Sequence, residues 1–141
     1  TRLLNMGIEP FLVTGSFNVV VAQRLFRRIC ENCKVVNDVG VEELVNVGIA
    51  PSSAEKIKVY TGQGCEACNN TGYKGRVAIY EVLDVTPGVK DLILRNASSD
   101  EIKKQAIKDG MKTLRMTALT KVALGQTTLE EAIRNSSEDK F

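Results

Sequence analysis

The chain has 141 residues, of which 43% are hydrophobic and 26% are charged, with a formal net charge of +2 and no histidine. This balance is typical of one globular domain that can bury a core, and it argues against a disordered chain. The small charge and the 5% aromatic content favour neither a strong phosphate-binding field nor a stacking surface for nucleic acid. The longest apolar run near the start covers only residues 19–22, whereas roughly 20 residues are needed to span a bilayer, so no transmembrane helix is predicted.

Helical structure is predicted over most of the first 23 residues. Residues 1–7 have the pattern of a helix end that Gly7 closes in the left-handed conformation, and Pro10 suits the first turn of the next helix. A glycine–serine pair interrupts this second helix. Ser16 can then cap a further helical run through residues 17–23.

The next segment leads into the most informative motif of the chain. Residues 24–30 carry apolar side chains at positions that favour a strand over a continued helix. Cys30 and Cys33 form one CxxC pair, and Cys65 and Cys68 form a second pair after 31 intervening residues. Two CxxC turns supply the four sulfurs of a tetrahedral zinc site. We therefore predict that these four cysteines hold one zinc ion.

The predicted zinc is structural. Four sulfurs fill the tetrahedron, so no position remains for a reactive water, and the chain lacks histidine as a general base. The alternatives are two disulfides or a redox-active CxxC. We expect no signal peptide ahead of the cysteines, and a redox motif needs one CxxC at a helix start rather than two matched pairs. Four thiolates and one dication would lower the formal net charge from +2 to zero.

Short elements are predicted between the two cysteine pairs. Residues 41–47 have an amphipathic helical pattern that Gly48 ends, and Pro51 opens another helical turn. Residues 57–60 alternate apolar and polar side chains, which predicts a strand leading to the second pair. Glycines cluster around that pair and indicate a tight loop; they are Gly62, Gly64, Gly72 and Gly75.

After the second pair we predict one long strand followed only by helices. Residues 76–83 are rich in branched and aromatic side chains, which favours a strand. Capping boxes at Ser98–Glu101 and Thr128–Glu131 open two of the helices. The apolar stripes at positions 102, 106 and 107 and at 114, 118 and 122 predict a helical core, with a groove for a partner helix as the alternative. The other helices start at Pro87 and Thr113, Gly110 and Gly125 mark stops, and from Asn135 we expect a frayed polar tail.

Several short stretches, taken in order, resemble a known family. They are TRLLNMGIEPFL at residues 1–12, AQRL at 22–25, the two CxxC pairs, TGYKGR at 71–76 and YEV at 80–82. Together they resemble the type II secretion and type IV pilus assembly ATPases, the PulE/GspE/PilB family, over nearly the whole chain. Because the chain opens on Thr1 in the middle of a pattern, we expect it to be a fragment of such a protein.

The resemblance implies a bacterial cytoplasmic motor at the inner membrane. Members of this family work as rings of six subunits and hydrolyse ATP with Mg²⁺ to drive pilin or pseudopilin assembly, together with an inner-membrane platform protein. Their Walker A and Walker B motifs are missing here, since the sequence contains no Gly-Lys-Ser or Gly-Lys-Thr. We therefore expect ATP and Mg²⁺ to bind only the full-length protein. The fragment should have no catalytic or cofactor-binding residue, be inactive alone and be monomeric.

Individual residues can be matched to the family's motifs. The four cysteines match its metal ligands, although Glu31 stands where members often have proline. Gln23 and Arg24 match a recurrent Gln-Arg-Leu of the motor core. The resemblance leaves two roles open for them, a contact to nucleotide or a neighbouring subunit, or simply the polar end of a core helix.

Basic residues flank the cysteines, which is also the pattern of a nucleic-acid-binding zinc ribbon. A zinc ion with four thiolates carries a local charge of about −2, so basic neighbours that offset it are expected without any ligand. We favour this second interpretation and expect no nucleic acid partner. The segment at residues 65–72 is also similar to a zinc module of DnaJ-type co-chaperones, but those occur four times and this one once. The basic residues are Arg24, Arg27, Arg28, Lys34, Lys74 and Arg76.

These observations predict an α+β fold in which a small strand region surrounds a tetracysteine zinc site and a helical packet follows. We predict that residues 1–29 end a RecA-like ATPase core, residues 30–83 form the zinc-binding subdomain and residues 84–141 form a helical subdomain. The predicted function is the C-terminal part of a hexameric ATPase for type IV pilus assembly or type II secretion. The alternative is a zinc-ribbon-like module that binds nucleic acid or protein.

Overall fold

A computed structural model describes residues 2–139 and confirms the α+β class, with helices and small sheets in one chain. Strand β1 pairs with β4, and β2 pairs antiparallel with β3. The helices are α1 (Arg2–Asn5), α2 (Pro10–Ser16), α3 (Val41–Asn46), α4 (Pro51–Ala54), α5 (Pro87–Leu94), α6 (Ser99–Lys108), α7 (Leu114–Ala123) and α8 (Leu129–Asn135). The strands are β1 (Val19–Ile29), β2 (Lys34–Asn37), β3 (Val59–Gly62) and β4 (Tyr73–Asp84). None of the helices in this described part is long and apolar enough to cross a membrane.

The third helical run predicted for residues 17–23 is wrong, because strand β1 already begins at Val19. Three consecutive valines start this strand, and branched side chains lose less freedom in a strand than in a helix. Gln23 and Arg24 consequently lie within β1, and the interpretation of these residues as the end of a core helix is also wrong. The strand predicted over residues 24–30 is confirmed up to Ile29.

The remaining predicted elements are present with shifted limits. The helices predicted at residues 41–47 and from Pro51 correspond to α3 and α4. The strand expected at residues 57–60 is β3, which begins two residues later, and the long strand expected at 76–83 is β4, which extends further in both directions. Strand β2 was not predicted. The parts of the sequence predictions that concern residues 1, 140 and 141 lie outside the described residues.

The described residues pack into two units. The first contains residues 2–22 and 81–113, and the second contains residues 23–80 and 114–139. Strands β1 and β4 are each divided between the two units. This division differs from the predicted subdomain boundaries at 29/30 and 83/84, which remain a prediction.

The second unit has a core built from strands, short helices and α7 and α8. Phe26 of β1 and Ile79 of β4 are fully buried, and Ala118 and Val122 of α7 are buried against them in the same cluster. The apolar stripe of α7 predicted from the sequence is therefore a core face. Further members of the cluster are Leu44, Ile49, Ala54, Val59, Leu119, Leu129 and Ala132.

The first unit has a smaller core, formed by Val85, Val89 and Ala106 with partly buried neighbours such as Ile102. Helix α6 of this unit begins at the predicted capping box. The Glu101 N–H donates to Ser98 Oγ at 3.3 Å, and the Ser98 N–H donates to Glu101 Oε2 at 2.9 Å. The Ser98 N–H and the Ser98 hydroxyl, which both donate to Glu101 Oε2 at 2.9 Å, hold the pKa of the Glu101 carboxyl below its ordinary value.

Replacing Ser98 with alanine is expected to loosen the first turn of α6. Loss of an N-cap hydroxyl costs about 1 kcal/mol, which corresponds to roughly fivefold faster exchange of the amide hydrogens in that turn. Hydrogen exchange read by NMR would measure this, with Ser99→Ala as the control, since Ser99 lies next to the cap but does not accept from Glu101. Equal exchange in the two variants would contradict the assigned cap.

The second predicted capping box is only half formed. Thr128 Oγ1 accepts the Glu131 N–H at 3.1 Å as expected, but the Glu131 carboxylate points to Arg27 instead of returning to Thr128. The expected fraying from residue 135 is wrong at Ser136, which is buried. Its carbonyl accepts a hydrogen bond of 2.7 Å from Nη2 of the buried Arg115, and this bond fixes the residue that follows α8.

Candidate metal centre

The four cysteines lie where β1 ends and where the β2–β3 pair ends. Cys30 directly follows β1, and the Cys33 N–H donates to its carbonyl at 3.3 Å to close the first CxxC turn. Lys34 of β2 is paired with Gly62 of β3, so the second pair begins three residues beyond a strand that lies beside the first pair. We call the four cysteines of the two pairs the cysteine cluster.

The second CxxC turn depends on unusual backbone conformations. A short 3-10 turn, Glu66–Cys68, is followed by Asn69 and Asn70 in the left-handed region, with φ of 52° and 59°. The Asn70 N–H donates to the Cys65 carbonyl at 2.8 Å and closes this turn. Asparagine tolerates the left-handed region better than most residues, which explains two of them in succession.

Two of the predicted loop glycines are required by close backbone packing. Gly62 and Gly72 lie against each other, and a Cβ added at Gly62 would overlap the Gly72 carbonyl oxygen. The Gly72 carbonyl also accepts the Cys30 N–H at 3.0 Å. The loop of the second pair is thereby attached by main-chain contacts to the end of β1 that carries the first pair.

The cysteine cluster has the dimensions of a tetrahedral metal site. All four Sγ atoms lie within 4.8 Å of one another, and Cys30 and Cys68 are buried while Cys33 and Cys65 are half-buried. The Sγ atoms are 3.9 Å apart for Cys30 and Cys65, 3.9 Å for Cys33 and Cys68, and 3.7 Å for Cys65 and Cys68. A tetrahedron with metal–sulfur bonds of about 2.3 Å has edges of about 3.8 Å. All four thiols are free, and the cluster can hold a metal ion.

Hydrogen-bond donors surround three of the four sulfurs. The Gly64 N–H donates to Cys33 Sγ at 3.3 Å, and the N–H groups of Cys65 and Gly72 donate to Cys68 Sγ at 3.2 and 3.3 Å. The side-chain amide of Asn32 donates to Cys65 Sγ at 3.2 Å. Such donors stabilise thiolates, the form in which cysteine binds a metal.

The electrostatic consequences differ between the cysteines. Burial disfavours the Cys68 thiolate, but the amide donors of Cys65 and Gly72 outweigh it and lower the pKa of Cys68 to about 6. Burial raises the pKa of Cys33 to about 11, with the Gly64 amide opposing this shift. The hydrogen bond from Asn32 lowers the pKa of Cys65. Of the described N–H donors to the cluster, three reach the sulfurs of the second pair and one reaches a sulfur of the first.

Half of the basic residues noted in the sequence have partners within the fold. Arg27 binds Glu131 and covers the Tyr73 ring at 4.1 Å. Arg28 and Lys34 each lie 3.6 Å from the Glu31 carboxylate, and Lys34 also lies 4.9 Å from the centre of the Tyr60 ring. Each of these three cations therefore has an anionic or aromatic partner within the fold.

The remaining residues singled out in the sequence lie outside the cysteine cluster. Gln23 donates through Nε2 to the Tyr80 hydroxyl at 3.3 Å, an exposed contact within the sheet, and Arg24 is an exposed residue of the same strand. Sequence reasoning missed Asn32 because an exposed asparagine inside a CxxC turn carries no signal of its partner. The Arg27–Glu131 contact was also missed, since the two residues are 104 positions apart.

Comparison with known families identifies the class of protein to which this fold and its cysteine cluster belong. The chain belongs to the family described as type II/IV secretion system protein, whose model matches residues 1–134.

The curated relatives that are similar to this chain come from several bacteria and are named for type IV pilus assembly or for type II secretion. A type IV pilus assembly ATPase, PilB of Myxococcus xanthus, is 48% identical to this chain over all of it and over 25% of its own length. PilB of Thermus thermophilus is 44% identical over 98% of this chain and 16% of its own length. The type II secretion system protein E of Aeromonas hydrophila is 38% identical over 99% of this chain and 27% of its own length. The chain thus spans about a quarter or less of these relatives.

Proposed function

We propose that this chain is the C-terminal, metal-bearing part of an ATPase that powers type IV pilus assembly or type II protein secretion. The observation that carries the proposal is the family match over residues 1–134. Relatives named for both processes align with almost the whole chain, and the most similar of those described above are pilus ATPases.

We propose further that the cysteine cluster binds one zinc ion. Sulfur is the preferred donor for zinc, and the observed Sγ separations of 3.7 to 3.9 Å agree with the edges of a zinc–thiolate tetrahedron. A zinc ion with four protein ligands has no open position, so its contribution is structural. In this site it would join the end of β1 to the loop after β3.

ATP and Mg²⁺ belong, in this proposal, to another part of a longer protein. The 141 residues contain no Gly-Lys-Ser or Gly-Lys-Thr, and phosphoryl transfer needs such a phosphate-binding loop. The proposed whole protein is a homohexamer at the cytoplasmic face of the bacterial inner membrane, acting with a platform protein and pilus or secretion components. Residues 1–29 would complete its RecA-like core, with residues 30–83 and 84–141 as zinc-binding and helical subdomains.

An intact-protein ATPase assay tests this function. The longer protein that contains this chain should hydrolyse ATP, whereas the isolated 141 residues should not. Cys65→Ser in the longer protein should lower turnover by misplacing the subdomain, while Gln63→Ala should not, because Gln63 is exposed and lies beside the second pair without donating to its sulfurs.

Two results would contradict the proposal. One is a longer protein without ATP hydrolysis, and the other is normal hydrolysis in the Cys65→Ser variant after confirmed loss of metal. Salt-sensitive binding of DNA or RNA by the isolated chain would instead favour the zinc-ribbon alternative. The internal pairing of Arg27, Arg28 and Lys34 is the observation against that alternative.

A further inference from the structure

We propose that Asn32 is a positioning residue of the metal centre, which ties the two CxxC turns together and controls how tightly Cys65 holds the metal. This inference rests on the proposed zinc site. Asn32 belongs to the first turn, yet its side-chain Nδ2 donates to Cys65 Sγ of the second turn at 3.2 Å, across 33 positions of the chain.

The donors around the cysteine cluster show why this contact matters. Cys33 and Cys68 accept from the main-chain N–H groups of residues 64, 65 and 72, so these hydrogen bonds do not depend on a donor side chain. Cys65 accepts from a side chain. Among the described hydrogen bonds from nitrogen to a cysteine sulfur, this is the one that a single substitution can delete while the backbone stays intact.

The position of Cys65 makes the hydrogen bond consequential. Cys65 is one of the two half-buried cysteines and Asn32 is exposed, so the contact lies at the less buried side of the cysteine cluster. The Asn32 amide occupies one side of the Cys65 sulfur there. A thiolate can only accept hydrogen bonds, so the NH₂ end of the amide is the end that must face it.

Asn32 also orders the cluster before a metal binds. Main-chain bonds already connect the two turns, because Gln63 N–H donates to the Cys33 carbonyl at 3.1 Å and Cys30 N–H donates to the Gly72 carbonyl at 3.0 Å. These bonds place the backbones but not the Cys65 sulfur. The Asn32 contact fixes that sulfur, and ordering a ligand in advance lowers the entropy cost of binding.

Zinc affinity and cobalt spectroscopy of the 141-residue chain test the inference. Competition with a chelating dye under reducing conditions should show about tenfold weaker zinc binding for Asn32→Ala, at the lower end of the range for outer-sphere partners because Asn32 is exposed. Asn32→Asp should bind more weakly still. Aspartate keeps the size of asparagine but replaces the donor with an anion beside thiolates. If Asn32 acted through packing alone, Asn32→Asp would bind zinc more tightly than Asn32→Ala.

The cobalt form provides a readout that a change in general stability would not move. A hydrogen bond to a thiolate lowers the energy of its lone pairs, so the sulfur-to-cobalt charge-transfer band should shift to longer wavelength in both Asn32 variants. Gln63→Ala is the matched control, since it removes a neutral, exposed amide two residues before Cys65, the partner of Asn32. It should leave both the zinc affinity and the band unchanged.

The possible failures are distinguishable. A wild-type chain that binds neither zinc nor cobalt would overturn the proposed metal site and this inference with it. A wild-type chain that binds zinc, with Asn32→Ala and Asn32→Asp matching Gln63→Ala in affinity and spectrum, would overturn the role of Asn32 alone.

Discussion

Removal of the proposed zinc ion is expected to unfold most of the second unit, residues 23–80 and 114–139. Structural zinc contributes on the order of 10 kcal/mol to small metal-binding domains, which is comparable with the whole stability of a domain of this size. Cys68→Ser should have the same effect as a chelator. Its sulfur is buried and accepts two main-chain N–H groups, and a serine hydroxyl binds zinc far more weakly than a thiolate.

The helices α7 and α8 should respond to metal removal although they follow the cysteines by many residues. Ala118, Val122 and Ala132 belong to the same buried cluster as Phe26 of β1, the strand that ends at Cys30. Helices α5 and α6 pack around a different core, formed by Val85, Val89 and Ala106. We therefore expect them to keep more of their protection.

Hydrogen exchange read by mass spectrometry, with and without chelator under reducing conditions, would measure this pattern. Metal analysis of the same samples should give one zinc per chain before chelation. Gln63→Ala serves as the control for Cys68→Ser, because it changes an exposed side chain of the same loop. Uniform loss of protection over α5 to α8, or no loss at all after complete zinc removal, would contradict the expectation.

Local patterns in the sequence predicted the parts of this structure that depend on neighbouring residues. The Ser98–Glu101 capping box and the glycine stops concern residues a few positions apart, and both are found as predicted. At residues 17–23 the sequence pattern suggested a helix, but pairing between β1 and β4 makes the segment a strand. The three consecutive valines at 19–21 favour a strand locally, but the pairing partner in β4 is distant in the sequence.

The candidate metal centre was also predictable only in those parts that depend on local sequence patterns. The grouping of the four cysteines was predictable because their side-chain chemistry and spacing are typical of metal binding. The donors around them were not, since Gly64 and Gly72 act through main-chain N–H groups that every residue except proline has. The spacing of Thr128 and Glu131 correctly predicted a helix start but gave no indication that Glu131 binds Arg27.

Loss of the Glu131 carboxylate should produce the second large effect. Glu131 is 3% exposed, and its Oε1 accepts from Nη2 and Nε of Arg27 at 2.7 and 2.9 Å, while its Oε2 accepts the Arg27 N–H at 2.9 Å. This carboxylate thus connects α8 to both the side chain and the backbone of β1. The Tyr73 ring lies against the same guanidinium and its hydroxyl lies 2.9 Å from Thr128 Oγ1, the N-cap of α8.

The contact makes part of the protein's stability dependent on pH. Burial alone would raise the pKa of Glu131, but the hydrogen bonds and charge of Arg27 outweigh it and hold the pKa below its ordinary value of 4.5. A carboxyl whose pKa is lower in the folded state contributes its full stabilisation above the unfolded pKa. This contribution should disappear as the pH falls through the folded pKa, when protonation weakens the contact.

Glu131→Gln is therefore expected to destabilise the second unit by about 2–3 kcal/mol at neutral pH, because it leaves buried polar groups imperfectly paired. The cost lies below that of breaking a fully buried ion pair, since Arg27 is 47% exposed and can be solvated. Denaturant unfolding at several pH values would show the wild type and the variant converging as the pH falls below 4.5 and through the lowered pKa of Glu131, as the wild type loses its advantage. Glu130→Gln is the matched control. Glu130 is exposed, and its contact of 3.8 Å with Arg134 is a surface ion pair that contributes little to stability. A stability difference between wild type and Glu131→Gln that stays constant down to strongly acidic pH would show that the carboxylate charge is not what holds α8 to β1.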